Sequence, residues 1–470
     1  MTWRADGIRE AIPWALTLLL LASRLSPVPP LTDPLGGELP ASLQLTVPTT
    51  YLVLAPLFTL WDGISMLSMS RLHGFLTGLA GFYVLWRIVR HIRTRPPLRS
   101  WRTWLEELGI LLLSLLGLLG FIVAGAIWHR PMLSLTGIPW GYQVVDFHSH
   151  TAASHDVGNT WMSGYDLAAN LRWHGRAGFN VVFVTDHNVV SRESQDARRE
   201  ARVGSLESGV GSGESGVGGG DTGAGSQKSG VGGQALGDAG PIPCPGIEVS
   251  AWQAHIVLLG DTLTIERDPY TRSLAGLLTL LRTSDSSYGS LSLASLPEYR
   301  RSHWERLDTL IQAGLDGFEI VNASPKANEL TRPERDRVVD LARKHDLFVV
   351  GVSDSHGWGA TSMVWNLVRV PPARSPETLC TAILARLDQG YPGAQIVERH
   401  RLRPDGPWPM WLTPVGVVWE TWRSMGRPLA FSWLAWIWVV AGLLNLLRSR
   451  ALRAKIARRP APTPPLTDRE

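Results

Sequence analysis

The sequence predicts an α/β domain, built on a parallel sheet or barrel and held between transmembrane helices. Three observations lead to this reading. Long charge-free stretches lie near both ends of the 470-residue chain. Between them, short β-rich runs alternate with helical stretches, as in parallel α/β folds. Finally, His, Asp and Glu recur at the ends of successive β-rich runs.

Charged residues make up 18% of the chain, below the roughly 25% of ordinary soluble domains. The deficit falls at the two ends, which excludes a simple cytosolic enzyme and an extended disordered chain. Many of the 21 tryptophans flank the apolar stretches, where amphipathic rings settle at membrane interfaces. The net charge of +4, from 45 basic against 41 acidic residues, is too balanced to indicate a nucleic-acid partner. The two cysteines, Cys244 and Cys380, exclude a disulfide scaffold or a Cys-rich zinc module and leave open one bridge in an oxidising compartment.

Residues 108–128, LGILLLSLLGLLGFIVAGAIW, and 429–447, LAFSWLAWIWVVAGLLNLL, are each long enough to cross a bilayer core of about 30 Å as a helix. Residues 74–89 form a third, shorter candidate, with Arg87 and Arg90 at its end. Residues 11–23 are a fourth, with Pro13 near the start, where a helix tolerates proline. Residues 49–69 are apolar but carry Pro56 and Asp62; an acid at mid-membrane costs a few kcal/mol, roughly 2.5 or more. That segment therefore reads as interfacial or re-entrant, giving four spans, with a five-span version open. The run Arg87, Arg90, Arg93, Arg95, Arg99, Arg102 and the tail Arg448, Arg450, Arg453, Lys455, Arg458, Arg459 mark two cytoplasmic faces by the positive-inside bias. The middle of the chain is then expected outside the cytoplasm.

The chain thus divides into an N-terminal membrane region (1–136), an α/β domain (141–395), a connector (396–428), a last span (429–447) and a basic cytoplasmic tail (448–470). Within the domain, QVVDFHSH, VVFVTDHN, GIEVSA, AHIVLLG, SLSLASLP, GFEIVNA and FVVGVSDSH read as strands. YDLAANLRWHGRAG, RRSHWERLDTLIQAG and PERDRVVDLARKHD read as the intervening helices. Residues 204–240 hold a Gly/Ser-rich tract containing Ser-Gly-Val-Gly three times, which cannot bury a core and reads as a disordered loop insertion. Residues 460–470 form a polar, Pro-rich tail.

The chemistry collects at strand ends, where α/β barrels place their active sites. His148 and His150 in DFHSHT lie two apart, so in a strand both imidazoles share one face. VTDHN brings Asp186 and His187, GIEVS brings Glu248, the next run brings His255, and GVSDSH brings Asp354 and His356, again two apart on one strand face. A lone His-x-His or Asp-His pair is more often a hydrogen-bonded core or surface pair than a ligand set; the ordered series carries the reading. Mixed imidazole and carboxylate donors suit zinc, manganese or iron rather than magnesium or calcium. A carboxylate such as Glu248 or Asp354 can bridge two ions, a clamp suited to phosphate ester hydrolysis by activated water.

Together, DFHSHT, VTDHN, GIEVS with its downstream histidine, and GVSDSH resemble the four signature motifs of the PHP (polymerase and histidinol phosphatase) superfamily, over roughly residues 141–395. The resemblance implies a distorted (β/α)7 barrel, two or three divalent metal ions and phosphoesterase activity on a phosphorylated substrate. Carried over by motif, it implies as ligands His148, His150, His187, Glu248, His255, Asp354 and His356, with Glu248 bridging; Glu248, Asp354 and His187 are the expected catalytic residues. A further ligand follows the first motif, Asp156 in ASHDVG or, as the alternative, His155. In one departure, LASLPEYRR places Ser295 and Leu296 where the family carries a histidine before proline, so that one ligand is lost or His303 or Glu298 takes its place.

Asp146 and Asp186 are candidates to orient ligands from behind, or only to cap strand ends. Arg300 and Arg301 are candidates to meet a phosphate, although basic pairs at a helix start are usually solvated. Two other readings stand beside the leading one. An amidohydrolase-type barrel would commonly use a carbamylated lysine, but Lys228, Lys326 and Lys344 lie on no expected strand end. A degenerate sensor or binding domain would fit the departure at Ser295.

Overall fold

The computed structural model describes residues 2–94, 101–189, 240–260, 270, 272–296, 305–324, 329–371 and 375–457. The Gly/Ser-rich tract up to residue 239, Glu298, Arg300, Arg301, His303 and the tail from 458 lie outside the described residues.

Twelve strands form a mixed α/β architecture: β1 (Leu31–Thr32), β2 (Gln44–Thr46), β3 (Ser134–Thr136), β4 (Tyr142–Ser149), β5 (Val181–Val184), β6 (Ile242–Ala251), β7 (Ala254–Leu259), β8 (Leu291–Ala294), β9 (Gly317–Asn322), β10 (Phe348–Val352), β11 (Val364–Arg369) and β12 (Gln395–Arg399). Ten of them make one sheet in the order β1-β12-β11-β4-β5-β6-β7-β8-β9-β10, and β2 pairs with β3. β4, β5 and β6 run parallel, as do β8, β9 and β10. β7 breaks the parallel pattern expected from the sequence, because it pairs antiparallel with both β6 and β8. The cause is local: only Trp252 and Gln253 separate β6 from β7, and a two-residue link makes a hairpin, never a crossover. Gln253 takes the turn with φ +57°.

The sheet curls until the end of β10 meets β4. There the Asp354 amide donates to the His148 carbonyl at 2.9 Å and the His150 amide to the Ser355 carbonyl at 3.0 Å. Two buried side chains stitch this seam. Asn366 on β11 accepts from the Gly351 amide at 2.9 Å and donates to the Val145 and Gly351 carbonyls. Asp146 accepts from the Ser353 amide at 3.0 Å and from the Ser353 hydroxyl. Gly351 has no room for a side chain, since a Cβ there would collide with Val364.

The helices lie where their apolar stripes can be buried. Leu167–Ala177 starts on an Asp166 cap that accepts from the Ala169 amide and stops at Gly178, φ +95°, a left-handed position that glycine adopts freely. Arg332–His345 opens with a capping box between Thr331 and Glu334. The helix Pro376–Leu387 presents Leu379, Cys380, Ile383 and Leu387 to the sheet, and Cys380 is disulfide-bonded to Cys244 on β6.

Among the described residues, three helices are long and apolar enough to cross a membrane: Met69–Arg93, Leu105–Ile127 and Arg427–Arg450. The fourth expected span, 11–23, forms the apolar half of the helix Thr2–Ser23 and is shorter than the other three. It lies along the last helix, with the Trp14 and Trp438 rings 4.7 Å apart. Residues 49–65 break at Leu54 into helices Thr49–Val53 and Ala55–Ser65. Asp62 in the second is buried because it is paired: it accepts from Tyr51 Oη at 2.7 Å, Arg130 Nη2 at 2.7 Å and Arg399 Nη1 at 3.0 Å. Arg130 follows the span Leu105–Ile127, and Arg399 ends β12, so one carboxylate joins the membrane helices to the sheet.

Asp62→Ala would leave two buried guanidiniums facing each other, a loss of about 3–5 kcal/mol. Thermal unfolding of the full chain in detergent should show a large drop in midpoint for this variant; an unchanged midpoint would show that the cluster does not hold the domain to the helices.

Candidate metal centre

Eight residues expected from the sequence, on four separate segments, converge at one end of the sheet. His148 and His150 leave the end of β4, with both imidazoles turned inward and wholly buried. His148 Nε2 lies 3.0 Å from His150 Nε2 and 3.2 Å from Glu248 Oε2. His150 Nε2 lies 3.3 Å from the same Glu248 oxygen and 3.1 Å from Asp354 Oδ1. Donor atoms that share one ion at about 2.1 Å sit about 3.0–3.4 Å from each other, which is the spacing found here. Asp354 Oδ1 is buried and accepts no hydrogen bond of good geometry, a costly arrangement for a carboxylate unless a cation takes the lone pairs.

Glu248 continues the cluster. Its Oε2 is 3.1 Å from His187 Nε2, and its Oε1 is 2.6 Å from His255 Nδ1. His255 reaches it because the β6–β7 register sets Glu248 opposite Val257 and Ser250 opposite His255, making His255 a same-face diagonal neighbour. On the third side, Asp156 Oδ2 lies 2.6 Å from His356 Nε2 and 3.3 Å from His187 Nε2. Three overlapping buried groups could therefore hold metal ions: His148, His150 and Asp354; His187, Glu248 and His255; His150, His187 and His356. Asp156, not the alternative His155, meets the cluster through a carboxylate oxygen; His155 is exposed, with its ring 5.2 Å from that of His187.

The backbone bends to make this possible. Asp354 sits at φ +45°, a left-handed conformation that costs a non-glycine residue about 1 kcal/mol or more. That turn brings His356 back over the site, where its Nδ1 donates to the Asp354 carbonyl at 2.8 Å and Nε2 is left facing Asp156.

Protonation follows from these neighbours. Burial disfavours the charged form of His356, but the Asp354 and Asp156 carboxylates outweigh it and raise the imidazole to about 9. Burial and the nearby His356 charge push His150 down to about 4. Burial alone would raise the carboxyls of Glu248 and Asp354, yet the surrounding imidazoles hold both below the ordinary carboxylate range.

Other residues support the cluster, and the sequence reading missed most of them. Glu319 on β9 is buried and accepts from His148 Nδ1 at 2.7 Å, fixing the tautomer that aims Nε2 inward. Glu319 is itself held by Ser295 Oγ at 2.7 Å and Asn322 Nδ2 at 3.2 Å. Ser295, at the departure from the family pattern, thus faces the cluster through Glu319, while Leu296 is buried in the core. The available signal was an acid in the otherwise apolar strand GFEIVN. Asp146 orients no ligand ring; it pairs with buried His174 at 2.8 Å and with Ser353. Asp186 accepts from the Thr151 amide at 2.6 Å and hydroxyl at 2.8 Å, which pins the chain just after His150.

Ion binding requires His356 neutral, and its proton is held up to about pH 9. Ion affinity should therefore rise with pH toward 9, and uptake at pH 7 should release protons, measured by calorimetry in buffers of different ionisation enthalpy. Uptake without proton release would contradict the assignment of His356. Glu319→Gln should keep the site but weaken ion affinity roughly 10- to 100-fold, read by competition with a chelator; wild-type affinity would show that Glu319 does not orient His148.

Comparison with known proteins adds little. No protein-family model matches the chain, and no curated protein matches it. Among solved structures, PsfC from Pseudomonas syringae PB-5123 is similar at 16% identity, over 60% of this chain and 96% of that one, with a TM-score of 0.31. A score that low carries no argument about fold or activity, and the reading of the site rests on its own geometry.

Proposed function

We propose that this chain is a membrane-anchored, metal-dependent phosphoesterase of the PHP type, with its catalytic domain outside the cytoplasm. The observation that carries the proposal is the convergence of the four motif segments on one buried cluster, with His148, His150, His187 and His255 on the Glu248 carboxylate and Asp354 joined to it through His150. On this reading β4 to β10 are the seven strands of a distorted (β/α)7 barrel, closed at the β10–β4 seam.

The donor set of neutral imidazoles and carboxylates fits two or three ions of zinc, manganese or iron. Such ions, when bound, neutralise a phosphate ester and make water a better nucleophile at neutral pH. The chain's own part is positional. Glu319 and the Asp354 carbonyl fix the rings of His148 and His356 through their Nδ1 atoms, so little reorganisation is needed when substrate arrives. On this reading Glu248, Asp354 and His187 are the residues assigned to the catalytic step.

Two observations favour an extracytoplasmic domain. With Met69, Ile127 and Arg427 as the domain-side ends of the three candidate spans, the basic residues at the far ends, Arg90, Arg93, Arg448 and Arg450 among them, are expected on the opposite face, which the positive-inside bias makes the cytoplasmic one. The chain's only two cysteines form a buried disulfide inside the domain, a bond that persists in oxidising compartments.

The full chain in detergent should hydrolyse a generic aryl phosphate, lose that activity to a chelator, and lose roughly 100-fold or more in kcat/KM on Glu248→Gln. Ion binding without turnover of any phosphate ester would instead favour the sensor reading that Ser295 suggests. A phosphatase reporter fused after Thr136 should be active; a silent but expressed fusion would overturn the extracytoplasmic placement.

A further inference from the structure

The loop that follows the last two ligands rests on the end of a membrane span. The Gly359 amide donates to the carbonyl of Ala126, in the last turn of Leu105–Ile127, at 2.6 Å. Arg130 donates to the Gly359 carbonyl, and His129 Nε2 contacts the Gly357 carbonyl at 2.9 Å. A Cβ at Gly359 would collide with Trp128, so the two segments are packed backbone to backbone. Gly359 is three residues from the ligand His356, a reach of at most about 10 Å. The headgroup layer outside the hydrocarbon core is itself about 5–8 Å thick on each side. The candidate metal centre therefore lies at or just above headgroup height.

Of the candidate ligands, Asp156 is the most exposed, ahead of His255. The carboxylate of Asp156 has 15% of its side-chain surface exposed, against 0–1% for Glu248 and Asp354. From Asp156 the chain runs past Trp161, which is 79% exposed, to Tyr165. The Tyr165 ring lies 6.2 Å from His129, just beyond the span, and its hydroxyl lies 3.1 Å from Ser355 Oγ, between the two ligands Asp354 and His356. Along the chain, Trp161 thus lies between the candidate ligand Asp156 and Tyr165, which packs beside the end of the span, and exposed indoles of this kind are enriched at membrane interfaces.

We infer that the substrate is a phosphate ester of a membrane-resident amphiphile, whose headgroup reaches the centre past Trp161 while its hydrocarbon chain stays in the bilayer. This rests on the phosphoesterase reading and adds a substrate class to it. A soluble ester would gain nothing from a site at this height; a lipid ester would arrive with its phosphate already near the ligands, the loss of freedom on binding largely paid by the membrane.

Two measurements on the full chain in lipid nanodiscs test it. Because the native cysteines are joined, Trp161→Cys offers one thiol for a fluorophore. The label should be quenched by lipids carrying a headgroup nitroxide; quenching by aqueous iodide alone would overturn the inference whatever the activity. In the second measurement, butyl and dodecyl phosphates are compared, as monoesters and as nitrophenyl diesters. The dodecyl compounds should show kcat/KM roughly tenfold or more above the butyl ones, and Trp161→Ala should remove most of that advantage. Equal rates for both chain lengths would overturn the inference and leave the phosphoesterase reading standing. Hydrolysis of neither would sink that reading and this inference with it.

Discussion

The Glu248 carboxylate is wholly buried and lies within 3.3 Å of imidazole nitrogens from His148, His150 and His187 through one oxygen, and 2.6 Å from His255 through the other. An isolated carboxylate in that position would cost several kcal/mol, roughly 3–5 if its partners were removed. It is tolerated because three segments, the end of β4, the stretch after β5 and β7, bring positive or ion-binding groups to it. β6 supplies the fixed point, with the Glu248 amide donating to the Asp186 carbonyl at 3.3 Å and its carbonyl accepting from the Asn188 amide at 2.8 Å. The side chain is therefore anchored on both flanks before any ion is considered, and the neighbouring strand ends are arranged about it.

The second constraint is the joint between the apolar helices and the domain. Asp62, Arg130 and Arg399 come from the helix Ala55–Ser65, the stretch after the apolar helix Leu105–Ile127, and the end of β12. A second buried network lies close by in the chain, where Arg401 pairs with Glu329 at 2.6 Å and with Glu398 at 2.9 Å, and also donates to the Met66 carbonyl. Ion pairs of this kind add little net stability compared with apolar packing, but they fix register. Here the register matters chemically, because Arg130 also holds Gly359, three residues past His356. The position of the cluster relative to the apolar helix Leu105–Ile127 is thus set by charge pairs.

Much of this was legible in the sequence for a simple reason: local periodicity survives folding. His148 and His150 share a face because they are two apart in a strand, and the candidate spans Leu105–Ile127 and Arg427–Arg450 are built on long charge-free runs, 108–128 and 429–447. What escaped depends on distant partners. Glu319 meets His148 across 171 residues, and nothing near GFEIVN announces that contact. Asp62 was legible as a break in an apolar run, but its partners lie 68 and 337 residues away. Asp354 and His356 were expected to share a strand face; instead a left-handed turn at Asp354 brings them together. The antiparallel β7 was missed because alternation of strand and helix was read as uniformly parallel, although the two-residue link before it already required a hairpin.

The most direct test is an anomalous-difference map from crystals of the full chain, measured on either side of the zinc, iron and manganese edges. Two strong peaks about 3.5–4 Å apart, both within bonding distance of the Glu248 carboxylate, are the expected result, with a third peak near Asp156 and His356 if the site is trinuclear. A map without a peak in this cluster, with the imidazoles hydrogen-bonded directly to Glu248 and Asp354, would contradict the metal centre and the chemistry built on it.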